Sequence, residues 1–282
     1  MTSTSPPKVF DLALLRKRQA RAAKAGAETF LLDRVVEDLG ERLHAVVRDF
    51  QNAVDLGSPG HGVADVLAAS VKQSRHVDWS VSEHEALPLE ANSLDLVVSA
   101  LGLQFVNDLP GVLAQIRHAL QPDGYFLAAS IGGDTLTELR QSFAEAEVAL
   151  DGGLSPRVIP MVDLRDAGAL LQRAGFALPV TDVDRVTVRY DNMFGLMRDL
   201  RRMGATNMLA DRRRTPLRRA TLMRAAEIYA ERFSDVDGRI RATFDIVWMA
   251  GWSPHASQPK PLKPGSAKMS MEEAVKKAGA RK

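Results

Sequence analysis

The sequence predicts an α/β fold in which a mostly parallel, Rossmann-like sheet is covered by helices. Short apolar segments typical of buried strands alternate with longer segments whose apolar residues recur at helical spacing. The first apolar strand runs into a glycine-containing turn at residues 57–62 and then into a helix. With 282 residues, the chain is long enough for one large α/β domain with an insertion. This alternation is characteristic of a doubly wound parallel sheet.

The elements follow from these patterns in chain order. We expect helices over 10–25, 28–50, 62–69, 110–120, 134–150, 164–174 and 193–233. We expect strands over 53–56, 78–82, 94–100, 125–130, 180–190 and 243–251. A long helical segment separates the last two strands, which we therefore expect to form an antiparallel edge of the sheet.

The same patterns divide the chain into five parts. A basic helical segment occupies 1–27, the α/β core 28–190, a helical insertion 191–242 and the final strand with its loop 243–259. Residues 260–282 are rich in Pro, Lys, Gly and Ser, which predicts a flexible tail.

Composition limits the possible classes of function. The chain has no cysteine, which excludes disulfides, iron–sulfur ligation by thiolates and cysteine nucleophiles. A net charge of +2 gives no indication of a nucleic-acid partner. No apolar run approaches the roughly 18 residues that predict a membrane span. The six histidines form no pattern typical of a metal site, and no catalytic base is recognisable.

Several motifs together resemble one protein family. They are Val54-Asp-Leu-Gly57, Glu85-Ala-Leu-Pro88, the run Asp95–Pro110, Leu120-Gln-Pro-Asp-Gly124, the run Gly132–Arg140, Gly152-Gly-Leu-Ser-Pro156, Gly251-Trp252 and His255-Ala-Ser-Gln-Pro259. The chain resembles class I S-adenosylmethionine-dependent methyltransferases, and more narrowly the branch of mitochondrial complex I assembly factor 5. It resembles more distantly the malonyl-carrier-protein methyltransferase of biotin synthesis. The resemblance covers residues 9–270, about the whole chain.

The resemblance implies an S-adenosylmethionine site at the carboxyl edge of the sheet. It assigns the methionine end of the cofactor to Asp55 and Gly57. The other implied cofactor-binding positions are Ser58 and Gly60, which follow the strand 53–56, and Ala100 and Leu101, which lie at the end of the strand 94–100. Pro59 replaces a glycine of the family pattern and removes one backbone N–H donor.

Two assignments of the remaining cofactor acids stay open. Asp78 lies at the spacing of about 20 residues from the glycine turn that is expected of the acid that binds the ribose hydroxyls. The segment 78–88 also resembles the third strand and following loop of the family, which makes Glu83 the adenine-side acid and leaves the ribose acid without a counterpart. Residues 70–83 have room for one strand and no crossover helix. We therefore expect that one βα unit is missing.

The candidate substrate-binding residues follow later strands. Gln104 and Phe105 come after the strand 94–100, where ligands bind in such sheets. Asn107, beside Asp108, either orients a substrate or caps the next helix. Gly133 and Asp134 form either a tight turn with a helix cap completed by Glu138, or a site for an anion or substrate amide. His255 belongs to a motif of the resembling branch and is a further candidate.

The resemblance leaves three functions open. The chain is expected to be a methyltransferase-like protein that acts on, or assembles, a respiratory complex I subunit. The alternatives are a scaffold with a degenerate pocket, and a protein arginine hydroxylase, which the mitochondrial relative is associated with. Because the resemblance starts near Met1, we expect no transit peptide and a bacterial cytoplasmic location.

An arginine concentration in the helical insertion has two main interpretations, and a third, nucleic-acid binding, lacks the interleaved aromatic residues that would support it. It is either a solvated helix face or a surface that docks an acidic partner. Its members are Arg198, Arg201, Arg202, Arg212, Arg213, Arg214, Arg218 and Arg219.

Overall fold

One sheet of six strands runs through the middle of the molecule. The computed structural model describes residues 8–82 and 84–259. The strands are β1 (Phe50–Leu56), β2 (Val71–Val77), β3 (Leu94–Ala100), β4 (Leu120–Gly132), β5 (Ala177–Tyr190) and β6 (Ile240–Trp252). Their spatial order is β2-β1-β3-β4-β6-β5. The first four are parallel, and β6 pairs antiparallel with both β4 and β5. The predicted mostly parallel sheet with an antiparallel edge is confirmed.

Helices cover both faces of the sheet. They are α1 (Leu12–Lys24), α2 (Phe30–Ala45), α3 (Gly62–Ser70), α4 (Leu109–Ala119), α5 (Thr137–Leu150), α6 (Leu164–Arg173), α7 (Met193–Arg202) and α8 (Arg219–Phe233). Apolar side chains of α2, α3, α5, α7 and α8 form one core. Those of α1, α4 and α6 form a second core on the opposite face. In the described part of the chain, no helix combines the length and apolar composition needed to cross a bilayer.

Several predicted boundaries are wrong. The segment 78–82 is not a strand: residues Trp79–Val81 form a turn of 3-10 helix, and the strand lies just before it, at Val71–Val77. Nearly all side chains of that strand are exposed because it is the edge of the sheet, so the apolar pattern of a buried strand is absent. The predicted helix over 193–233 is interrupted between α7 and α8. The tail at 260–282 lies outside the described residues.

As expected, the described residues between 70 and 83 hold one strand, β2, and no crossover helix. Helix α3 is a crossover helix, and it connects β1 to β2, which pairs with β1 in parallel. The described residues between Val77 and Leu94 form one 3-10 turn and coil before the chain enters β3. The shortened connection therefore follows β2.

Trp79 fills the space beneath this shortened connection. Its side chain is 3% exposed and belongs to the same core as Leu56, Val77 and Leu103. A large aromatic side chain buries roughly 150–250 Å² of surface. The indole therefore covers part of the sheet that a crossover helix would otherwise cover.

The N-terminal segment is fixed to the body of the protein by backbone hydrogen bonds. The N–H of Asp11 donates to the carbonyl of Met208 at 2.9 Å, and the N–H of Ala210 donates to that of Val9 at 2.9 Å. The N–H of Phe10 donates to Asn107 Oδ1 at 2.7 Å. The segment therefore forms a fixed wall beside the carboxyl ends of β3 and β4.

Replacing Trp79 with alanine tests its structural role. We expect Trp79→Ala to lower the free energy of unfolding by about 4 kcal/mol, because a large buried aromatic side chain is lost. Val47→Ala is the control, since Val47 is fully exposed and its replacement should change stability by less than about 0.5 kcal/mol. Urea denaturation measures both. Equal stabilities for the two variants would contradict the role assigned to Trp79.

Candidate functional site

A cavity of about 690 Å³ opens at the carboxyl ends of β1, β3 and β4. Its volume is in the range of small-molecule sites. The turn after β1 and residues 101–105 after β3 form its floor, while α1, α2, α5 and α7 contribute its walls. Predicted site residues that line it are Gly57, Ser58, Gly60, Asp78, Leu101, Gln104 and Phe105.

Gly57 begins the turn after β1 and has no room for a side chain. Its φ is +68°, and a Cβ built on it would lie 2.3 Å from Nε1 of Trp79. Its N–H donates to the carbonyl of Val77 at 2.9 Å, which continues the pairing of β1 with β2. The turn is therefore held against the tryptophan that fills the shortened connection.

Two serines join the ends of β1 and β3. The hydroxyl of Ser58 accepts a hydrogen bond from the N–H of Ala100 at 2.8 Å. The hydroxyl of Ser99 donates to the carbonyl of Leu56 at 2.7 Å. The predicted cofactor-binding residues Ser58 and Ala100 thus bind each other, and only Ser58 lines the cavity.

Asp55 lies beneath the turn and orients His76, which no sequence motif had indicated as a site residue. Asp55 is 3% exposed, and its Oδ2 is 2.9 Å from Nδ1 of His76. Among the described residues, its Oδ1 has no hydrogen-bond partner. His76 faces Asp55 across the β1–β2 register and lines the cavity, whereas Asp55 does not. His76 could not be identified from the sequence because its contact with Asp55 depends on the parallel pairing of β1 with β2.

Asp78 follows β2 directly and lines the same cavity. Its Oδ1 accepts from the N–H and hydroxyl of Ser80, at 2.9 and 2.7 Å. No described residue hydrogen bonds to its Oδ2. Because the preceding strand pairs with β1, the alternative in which Asp78 begins the third strand is wrong. Glu83 lies outside the described residues.

Asn107 and Asp108 make structural contacts. Asp108 Oδ1 accepts from the N–H of Gly111 at 2.9 Å and caps α4. Asn107 binds Phe10, and its own N–H donates to Glu85 Oε1 at 2.7 Å. Glu85 is buried, and its Oε2 accepts from the N–H of Asp108 at 2.8 Å. This buried carboxylate therefore holds the loop that anchors the N-terminal segment.

The turn at Gly133 and Asp134 binds the carboxylate of another residue of the chain, Asp245. Asp245 is buried on β6, and its Oδ2 accepts from the N–H of Asp134 at 2.9 Å and from Arg185 at 2.8 Å. Gly133 has φ +55°, and a Cβ there would lie 2.5 Å from that oxygen. Burial by itself raises the pKa of Asp245, but Arg185 and the Asp134 N–H outweigh it and hold the pKa below the usual range of an aspartate.

The predicted cap of α5 by Asp134 with Glu138 is wrong. The N-cap residue is Leu136, and it makes no side-chain cap. Glu138 instead accepts from the N–H and hydroxyl of Thr243 on β6, at 3.2 and 2.5 Å. Glu138 therefore binds the distant strand β6 and not the start of its own helix.

His255 lies apart from the cavity in the described structure. Its side chain is exposed, and Nδ1 is 2.7 Å from the hydroxyl of Ser257. It does not line the cavity. In the described part of the chain, no three His, Asp or Glu side chains are grouped so as to hold a metal ion.

The cavity is compatible with S-adenosylmethionine. The glycine turn presents a backbone without a Cβ, and Asp78 Oδ2 and Ser58 Oγ offer polar atoms at its wall. The other walls are mainly apolar, which suits a purine and a methylene chain. Asp55 Oδ1 is a buried acceptor without a partner among the described residues, directly below the turn.

Several arginines of the insertion are neutralised by carboxylates of the chain. Arg213 and Arg218 pair with Asp151 at 3.3 and 3.2 Å. Arg202 pairs with Glu28 at 3.4 Å, and Arg212 with Asp11 at 3.3 Å. These four therefore contribute less to a basic docking surface than the sequence suggested.

Comparisons with known proteins identify similar chains. The family described as "Methyltransferase domain" matches residues 53–128. Arginine-hydroxylase NDUFAF5 of Danio rerio is 37% identical over 289 positions, which cover 95% of this chain and 90% of the relative. The Homo sapiens protein is 39% identical over 295 positions, which cover 96% and 85%. Both alignments are longer than the 282 residues of this chain, so both relatives carry residues that it lacks.

A shorter sequence match and two solved structures are also similar to this chain. Malonyl-[acyl-carrier protein] O-methyltransferase of Laribacter hongkongensis is 41% identical over 181 positions, 64% of this chain and 58% of that protein. The YcgJ protein of Bacillus subtilis is 14% identical and superimposes with a TM-score of 0.52 over 78% of this chain and 99% of that one. A Bacillus halodurans chain, also 14% identical, gives 0.51 over 77% of this chain and 99% of that one. These two likenesses concern the fold alone.

The expected bacterial cytoplasmic location is wrong. The relatives that align with nearly the whole chain are named as mitochondrial proteins of animals. That expectation was based on the start of the resemblance near Met1, and the start of a resemblance does not distinguish between compartments.

Replacing two glycines that have the same φ distinguishes the effect of backbone strain on stability from the effect of the contact with Trp79. Gly57 and Gly152 both have φ +68°, but no atom lies within 4 Å of a Cβ built on Gly152. We expect Gly152→Ala to lower the free energy of unfolding by about 1 kcal/mol through strain alone. Gly57→Ala also displaces the indole, and we expect a loss of roughly 3 kcal/mol. Similar losses in urea denaturation would contradict the close contact.

The Asp245–Arg185 pair predicts a loss of stability in acid. Because its folded-state pKa is lowered, Asp245 stabilises the protein fully above its unfolded value near 3.8 and progressively less as the pH falls through the folded-state value. We expect the stability difference between the wild type and Asp245→Asn to stay constant from about pH 7 to about pH 5 and to shrink as the pH falls further, below the unfolded-state value. Urea denaturation across this range measures it. A difference that also stays constant at the lower pH would mean that the charge contributes nothing.

Proposed function

Because the chain belongs to the family of arginine-hydroxylase NDUFAF5, we propose that it binds S-adenosylmethionine and modifies an arginine side chain of a respiratory complex I subunit. The observation that carries this proposal is the alignment with the Danio rerio relative over 95% of this chain and 90% of that protein. The cavity at the carboxyl edge of the sheet supports it, because ligands of such folds bind there.

The residues around the turn would hold the cofactor. Asp78 Oδ2 is available to accept hydrogen bonds from ribose hydroxyls, and Gly57 allows close approach of the backbone. The polar edge of the methionine portion would lie above Asp55 and beside Ser58. When bound, S-adenosylmethionine supplies an electrophilic methyl group on a sulfonium sulfur. The apolar walls exclude water from the reacting groups.

Hydroxylation is the reaction we propose. It replaces a hydrogen of the arginine side chain with a hydroxyl group, and dioxygen is the oxidant. One oxygen atom enters the product, and the other leaves as water with two electrons and two protons from a reductant. The name of the relatives that align over most of their length supports this choice.

Methyl transfer is the second candidate reaction. The methyltransferase domain match at 53–128 and the glycine turn favour it. In that reaction an arginine nitrogen attacks the methyl group, the carbon–sulfur bond breaks, and the nitrogen loses a proton. Alignment of the two groups supplies most of the rate enhancement in such a step.

A basic surface at the mouth of the cavity would receive the protein substrate. Arg18 of α1 lines the cavity, and burial together with the nearby charges of Arg212, Arg21 and Arg201 lowers its pKa. Arg212 is paired with Asp11, so this surface consists mainly of Arg18 and Arg21 of α1 and Arg201 of α7. Their concentration favours an acidic surface on the complex I subunit.

Mass spectrometry of an arginine-bearing complex I subunit distinguishes the reactions. The subunit is incubated with the purified protein, S-adenosylmethionine, dioxygen and a two-electron reductant. A mass increase of one oxygen atom on an arginine supports hydroxylation, and an increase of one methylene unit supports methyl transfer instead. An unchanged subunit under all conditions would contradict both and favour a scaffold.

Replacement of Asp78 tests the cofactor site separately from the reaction. We expect Asp78→Asn to weaken the binding of S-adenosylhomocysteine by roughly 10- to 100-fold, because hydrogen bonds to a charged group are lost. Asp65→Asn is the matched control, since Asp65 is exposed on α3 and does not line the cavity. Calorimetric titration measures both. Equal affinities would contradict the assignment of Asp78.

A further inference from the structure

A second cavity of about 260 Å³ lies next to the first. The N-terminal segment, the ends of β3 and β4, residues 160–162, α6 and β6 surround it. Three residues line both cavities: Gln104, Ile131 and Met161. The second cavity therefore ends at the wall of the proposed cofactor site.

The lining of the second cavity is apolar except at a few positions. Val162, Val247 and Met249 are among its apolar residues, and Asp166 is the one charged side chain among the described residues that line it. Asp166 is exposed, so its carboxylate lies where solvent has access. A long aliphatic chain that carries a positive charge matches this combination of an apolar interior and one carboxylate.

Gln104 supplies an acceptor at the border of the two cavities. Its Nε2 donates to the carbonyl of Leu101 at 2.7 Å, and this hydrogen bond sets the orientation of the amide. Its Oε1 has one weak contact among the described residues, with the hydroxyl of Ser130 at 3.5 Å. An amide oxygen can accept two hydrogen bonds. Oε1 is therefore available to an N–H donor.

The wall of the second cavity is fixed by buried contacts. Val9 and Phe10 line it, and Phe10 is held by Asn107, which is in turn held by Glu85. The ring of Phe10 also packs edge-on against Phe105, with centroids 6.4 Å apart. The cavity is thus a built feature of the fold.

We propose that the second cavity admits the side chain of the substrate arginine and carries its guanidinium to the cofactor site. Asp166 attracts the cation, the methylene groups lie against Val247 and Met249, and the guanidinium donates to Gln104 Oε1. This assignment rests on the proposed function, because it takes arginine as the modified residue. It adds the route of entry and the residues that select a guanidinium.

The methionines of the chain report on each cavity separately. Met197 and Met203 line only the first cavity, Met249 lines only the second, and Met161 lines both. The test is NMR of the full chain carrying methyl-¹³C methionine, with resonances assigned by single Met→Leu variants. The probes are N-acetyl-arginine N-methylamide, its uncharged analogue N-acetyl-norleucine N-methylamide, and S-adenosylhomocysteine.

We expect the arginine probe to shift Met249 and Met161 and to leave Met197 and Met203 unchanged. The norleucine probe should bind at least about tenfold more weakly, since it lacks the charge and the N–H donors. Gln104→Leu and Asp166→Asn should each weaken the arginine probe several-fold. Asp163→Asn is the control for charge on the same segment, because Asp163 does not line the cavity.

Two results would overturn the proposal. One is an arginine probe that shifts Met197 and Met203 but not Met249, since the side chain would then enter through the first cavity. The other is equal binding of the arginine and norleucine probes, which would make the cavity an apolar groove without selectivity. The S-adenosylhomocysteine titration is independent: failure to shift Met197 and Met203 contradicts the proposed cofactor site, whatever the arginine probe does.

Discussion

The contact between Gly57 and Trp79 is the constraint on which the site depends. The indole occupies the position that a Cβ of residue 57 would need, so the turn after β1 and the shortened connection after β2 fit only together. Trp79 also fills the core beneath that connection. With the turn fixed in this way, His76 and Asp78 at the end of β2 line the cavity beside Gly57. A chain that lacks a βα unit thus keeps the wall of its ligand site.

Buried carboxylates hold the surroundings of this site in place. Glu85 organises the loop before α4 and, through Asn107, fixes the N-terminal segment. Asp245 fixes the turn after β4, and Glu138 binds the neighbouring β6. A buried carboxylate is costly unless donors satisfy it, and here backbone N–H groups and side-chain donors both do so. These acids therefore act as structural connections between segments that are distant in sequence.

The two cavities follow from this arrangement. The first lies between the strand ends and the helices α1, α2, α5 and α7, and the second lies between the N-terminal segment and β6. Gln104 lies between them, and its amide nitrogen already donates to the carbonyl of Leu101. The two cavities thus meet at one point from different directions, so that a bound cofactor and a substrate side chain can lie next to each other there.

The sequence by itself determined the fold class, the carboxyl edge of the sheet as the site, and the turn at Gly57, because strand periodicity and turn residues are local properties. It placed the second strand at 78–82 and missed β2, because an exposed edge strand has no apolar pattern. It also treated Asn107, Gly133 and Asp134 as candidates for substrate binding. Only the tertiary structure brought Phe10 to Asn107, Asp245 to the turn at Gly133, and His76 to Asp55. The partners of a polar side chain are decided by strand pairing and packing between distant segments, which one sequence does not contain.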